Sequence, residues 1–70
     1  MRHRDYEVLE RALAHGERLA LIRRGTEYLV VPLALRTENG REVIDARNPT
    51  TGDDLALFVD ELDAVESLTR

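Results

Sequence analysis

The stretch "VVPLALRTENGREVIDA", residues 30–46, decides the fold. It reads as two apolar, strand-forming runs joined by Asn39-Gly40, a dipeptide that tolerates the two positive φ angles of a type I′ hairpin turn. A proline stands inside the first run. Pro32 has no N–H to give to a ladder, so it belongs at a sheet edge, a bulge or a bend. In a small barrel, such a bend lets one long strand serve two sheets.

Period-2 patterning extends outward from this hairpin. Upstream, "ERLALIRR" (17–24) sets Leu19 and Leu21 against Ala20 and Ile22, and Gly25 supplies a turn. In "TEYLVVPLALR" (26–36), strict alternation places Leu29, Val31, Leu33 and Leu35 on one face and Tyr28, Val30, Pro32 and Ala34 on the other. Downstream, "NPTTGDD" (48–54) is loop chemistry, and "LALFVD" (55–60) sets Leu55, Leu57 and Val59 opposite Ala56 and Phe58. Ahead of the strands, "DYEVLERALAHG" (5–16) carries Val8, Leu9, Ala12 and Leu13 at helical spacing, with Asp5 as the N-cap and Gly16 as the stop. The sequence therefore predicts one domain over 1–70. It has a helix at about 5–15 and strands at about 17–24, 27–36, 41–47 and 54–59, while 60–68 has the local propensity of either a short helix or a turn and strand. Consecutive short strands without intervening helices imply an antiparallel sheet curling into a small barrel or half-barrel, with the helix over one open side.

Composition bounds the function. A chain of 70 residues buries only about 60% of the surface its unfolded form exposes, and with no cysteine it has neither disulfide nor thiolate metal site to add stability. Oligomerisation is the remaining source of buried area. The charged opening "MRHRDYEVLE" and the lack of a long apolar run predict a cytoplasmic protein without a membrane partner. Residues 1–36 hold seven arginines and five acids (+2), and residues 37–70 hold three and nine (−6). An acidic half argues against nonspecific polyanion binding, because neutralising phosphates supplies most of that affinity.

In the order of its features, from "LERAL" through "LALIRR", "VVPLAL", "NGREVIDAR" and "TGDDLALFVDEL" to "DAVESL", the chain resembles the WYL domain over Leu9–Leu68. The resemblance implies an SH3-like (Sm-like) small five-stranded antiparallel β-barrel of the kind found in bacterial transcriptional regulators. It also implies that 60–68 forms a turn followed by a fifth strand at about 64–68. The family's Trp-Tyr-Leu triplet falls on Glu42-Val43-Ile44, its first-strand aromatic on Arg23, and an arginine after the fourth strand on Glu61. WYL domains are thought to sense nucleic-acid or nucleotide-like ligands, and a glutamate at position 61 would repel what an arginine attracts.

Catalysis has little to draw on. His3 lies near the terminus, His15 ends the helix and Ser67 has no histidine near it in sequence, so no enzyme activity and no cofactor are expected. Asp53, Asp54, Asp60, Glu61 and Asp63 lack the alternate spacing and central glycine of a calcium loop and read as a solvated acidic face without metal. Two binding readings remain open. Arg23, Arg24, Arg36, Arg41 and Arg47 could share a rim that grips single-stranded nucleic acid or a nucleotide, although only Tyr6, Tyr28 and Phe58 are available for stacking. Alternatively, the apolar strand surface exceeds what one short helix covers. Tyr28, Val30, Ala34, Val43, Ile44 and Phe58 would then form a protein interface of a self-associating regulatory module, a homodimer with or without a separate protein partner. The second reading is the main expectation.

Overall fold

A computed structural model of the chain describes residues 2–68. Helix α1 spans His3–His15, and strands β1 to β5 span Leu19–Arg23, Thr26–Glu38, Arg41–Arg47, Asp54–Phe58 and Ala64–Ser67; a single 3-10 turn, Val59–Glu61, separates the last two. The strands form one antiparallel sheet in the order β4-β3-β2-β1-β5. The helix starts two residues earlier than its pattern indicated. Asp5 is consequently not the N-cap but sits one turn in, where its carboxylate accepts the N–H of Arg2 at 3.3 Å. Gly16 ends the helix in the left-handed conformation, φ 66°, and its N–H bonds the carbonyl of Ala12.

The hairpin at the centre forms as expected, with Asn39 and Gly40 both at positive φ, 51° and 79°. The surprise lies in β2. Its first half pairs with β1, Leu19 opposite Val30 and Leu21 opposite Tyr28, and its second half pairs with β3. Between Pro32, opposite Ala46, and Ala34, opposite Asp45, the register shifts by one residue, so Leu33 is a bulge. Because side chains alternate, one extra residue exchanges the faces of everything beyond it. Val30 and Pro32 point inward before the bulge, and Leu35, opposite the buried Ile44, points inward after it. Strict alternation would have put Ala34 and Arg36 inside. The bulge keeps the apolar Leu35 in and the guanidinium of Arg36 out.

The inner face and α1 enclose the core. Leu9, Leu19, Leu21, Val30, Ile44, Leu57, Val59, Leu62 and Val65 are buried together, with Val8, Leu13 and Leu35 packed against them. The fifth strand pairs with β1, Val65 opposite Leu21, and the Asp63 N–H bonds the Ile22 carbonyl at 2.7 Å, which docks the chain after the 3-10 turn. The sheet does not close into the expected barrel: among the described residues β3 is the only pairing partner of β4, and β1 the only one of β5. Helix α1 packs on β5 and β2 instead, filling the concave side that a closed barrel would seal with strands.

The assignment of faces makes a direct prediction. Leu21→Ala, in the core, should cost about 2–5 kcal/mol. Leu29→Ala, on the outer face at 51% exposure, should change stability by less than about 0.5 kcal/mol. Urea unfolding of both variants checks this, and comparable losses would contradict the phase of β2.

Candidate interaction surface

The outer face of β2, β3 and β4 is built by alternation on either side of the bulge. It carries Ala34, Arg36 and Glu38 from β2, Arg41, Val43, Asp45 and Arg47 from β3, and Asp54, Ala56 and Phe58 from β4. The charges lie beside opposite charges on the neighbouring strand or turn. Arg36 Nε donates to Asp45 at 2.7 Å, and its Nη1 to Glu38 at 2.6 Å. Arg47 Nε donates to Asp54 at 2.7 Å, its partner across the ladder. Arg41 donates through Nε and Nη2 to both oxygens of Asp60, at 3.0 and 2.7 Å, approaches Glu61 at 3.5 Å and lies 3.5 Å above the centre of the Phe58 ring. A guanidinium over an aromatic face is attracted by the ring quadrupole, so Arg41 is held by both a fork of hydrogen bonds and a ring.

These contacts settle what the arginines face. Bonds to Asp45 and Glu38 push the Arg36 guanidinium further above its ordinary value, and Asp60 and Asp54 do the same for Arg41 and Arg47. Three cations here meet five acids, Glu38, Asp45, Asp54, Asp60 and Glu61, so the local field is negative. Arg23 lies elsewhere, on β1. It donates to the Tyr28 hydroxyl at 2.8 Å and approaches Glu61 at 3.6 Å. Arg24 occupies the β1–β2 turn at φ 49°, where the Asp63 carboxylate accepts its backbone N–H at 2.8 Å. The five predicted arginines are thus spread over the outer face, β1 and a turn. Arg23, Arg36, Arg41 and Arg47 already have carboxylate partners.

The predicted interface set needs correction. Val30 and Ile44, 2% and 0% exposed, belong to the core, and Val43 is covered on the outer face, at 3% exposure. Tyr28 packs against the core, and Phe58 lies under Arg41. Of the six, only Ala34 is exposed. The large apolar residues that do reach solvent on β2 are Leu29 and Leu33, at 51% and 46%. Sequence alternation placed both of them on the opposite face from Ala34, whereas the bulge leaves Leu33 and Ala34 together at the mouth of one open groove. That groove has a volume of about 490 Å³ and is lined by Leu33, Ala34, Asp45, Ala46, Asp54, Leu55 and Ala56. The signal that could have found it was Pro32 inside an apolar run, which marks a bulge.

No protein-family model, curated protein or solved structure matches this chain.

Among the described residues no cluster of three or more histidine or acidic side chains could hold a metal ion, and no helix is long and apolar enough to cross a membrane. A second crevice lies between α1 and the hairpin, where the Tyr6 hydroxyl donates to Glu42 at 2.7 Å. That bond, with the Glu42 charge beside it, raises the Tyr6 pKa and ties the helix to β3.

The ion pairs predict an acid limb. Asp54 and Asp60 are held below the ordinary aspartate value by bonds to Arg47 and Arg41. Their stabilisation is complete above the unfolded pKa of about 3.9 and is lost as pH falls through the lower folded values. Urea midpoints measured from pH 6 down to pH 2 should therefore fall less steeply below about pH 4 in Asp60→Asn than in the wild type. Parallel curves would mean the Arg41–Asp60 pair does not persist in solution.

Proposed function

We propose that this chain is a non-catalytic protein-interaction module that self-associates, a regulatory domain of WYL-like type in which the SH3-like barrel is left open. The observation that carries the reading is exposed Leu33 at the mouth of an apolar groove, with exposed Leu29 further along β2, on a sheet whose outer-face arginines are occupied by acids. Exposed apolar surface is what a protein partner can bury, and the charges beside it already have counterions and do not need the partner to supply them. The order helix, bent strand pair, hairpin, turn and final strand supports the family resemblance. Among the described residues there is one α-helix, so this domain presents no helix pair to a DNA groove, and the proposed role is a regulatory contact and not the reading of DNA.

The second reading, a sensor of single-stranded nucleic acid or a nucleotide, finds support only in Arg24, whose side chain has no carboxylate partner among the described residues. The two readings respond oppositely to salt. Phosphate binding weakens steeply as salt rises. Association of two chains of net charge −4 should hold or tighten, because screening weakens their mutual repulsion. Light scattering across a wide concentration range should give a mass rising above the chain's 8.0 kDa, undiminished in high salt, while fluorescence polarisation with labelled single-stranded DNA and RNA should show no binding at physiological salt. A monomer at millimolar concentration, or salt-sensitive nucleic-acid binding, would overturn the proposal.

A further inference from the structure

We infer that the second copy docks along the free edge of β4, antiparallel to its own β4 about a two-fold axis at Ala56. The inference rests on the self-association proposed above and names the surface that performs it.

The two edges of the sheet are treated differently. Strand β5 has α1 packed against it. Among the described residues, β4 has β3 as its one strand partner and no extensive packing against a helix, and no backbone hydrogen bond reaches residues 54–58 outside the ladder with β3. Alternate residues of an edge strand present unpaired N–H and C=O groups, and native chains block such edges with lysine, proline, inward charges or bulges. None of these occurs in Leu55–Phe58, and the only charge on the strand, Asp54, stands at its start.

The strand is complementary to itself in the antiparallel sense. With Ala56 opposite Ala56 of the second copy, Leu55 meets Leu57 and Asp54 meets Phe58, so apolar side chains extend the inner face of both sheets. Ala56 is small and exposed, and offers no obstruction at the axis. On the outer face, Arg41 lies over Phe58, which brings the guanidinium of one copy beside Asp54 of the other at both ends of the ladder. The two Asp54 carboxylates are four residues apart along the paired strands, about 14 Å. That exceeds the screening length of about 8 Å at physiological salt, so the like charges do not oppose the pairing. A polypeptide of another kind could pair with the same edge, but the matched ends favour a second copy of this chain.

The axis supplies its own test. A residue on a two-fold axis is its own partner, and antiparallel partners have Cα atoms about 4.5 or 5.5 Å apart, both inside the range a disulfide spans. The chain has no native cysteine to compete. Ala56→Cys should therefore convert to a disulfide-linked dimer under mild oxidation, while Glu10→Cys on the exposed side of α1 remains monomeric on denaturing gels. Ala56→Lys, which places a charge on the edge, should halve the mass seen by light scattering for the wild type and keep the wild-type circular dichroism. If Ala56→Cys does not cross-link and the dimer survives Ala56→Lys but is lost in Leu33→Asp, the edge is the wrong surface and self-association stands. An assembly larger than a dimer would also overturn the two-fold pairing. A wild-type chain that is monomeric throughout overturns both the edge and the self-association.

Discussion

Pro32 brings no N–H to the β2–β3 ladder, and the strand accommodates it by inserting Leu33 as an unpaired residue before the register resumes at Ala34. Everything else in the sheet depends on that insertion. It separates the half of β2 that pairs with β1 from the half that pairs with β3, and it reverses which side of the strand faces the core. With the phase reversed, Leu35 joins Ile44 and Leu57 inside, and Arg36 emerges beside Asp45. Without it, either the guanidinium of Arg36 would be buried unpaired or the core would lose Leu35.

The same shift organises the electrostatics of the outer face. Cross-strand neighbours on one face interact directly, and here the pairs are Arg47 with Asp54 and, on the diagonal, Arg36 with Asp45. These are surface pairs, each a minor contributor to stability. Their larger effect is on recognition: a cation already held by an adjacent carboxylate must give up that partner before it can bind a phosphate. Arg41, between Asp60 and the Phe58 ring, is the most constrained of them. What remains for a partner is apolar surface at the bulge and the unpaired backbone of β4.

Helix α1, strands β1 to β4 and their order were legible in the sequence because they rest on local signals, whereas local propensity left 60–68 open and β5 was expected only from the resemblance. The spacing of Leu9 and Ala12, the stop at Gly16, the Asn39-Gly40 turn and the alternation around Leu19 and Leu21 act over a few residues, and the structure follows them closely. The phase of β2 was not legible. Pro32 announces an irregularity without saying whether the strand ends, bends or gains a residue, and a shift of one moves every later side chain to the other face. That is why Val30, on the face of Ala34 by strict alternation, was placed on the surface while Leu33 was placed on the opposite face from Ala34. The pairing of the arginines was equally hidden, since Arg41 and Asp60 are nineteen residues apart and meet only once β3 and the 3-10 turn are in place. Barrel closure failed as an expectation for a related reason: whether the last strand meets the fourth depends on accumulated curvature, and a 13-residue helix occupies the concave side instead.

The bulge can be tested at the level of single contacts. Nuclear Overhauser effects between Hα protons and side chains across the β2–β3 ladder distinguish the two registers, because antiparallel partners are the closest residues across it. The shifted register predicts contacts between Pro32 and Ala46 and between Leu35 and Ile44, with Leu33 lacking a directly opposed partner. Contacts between Leu33 and Ala46 together with Pro32 and Arg47 would show an unbroken ladder, and would contradict both the exposed groove and the account of the core.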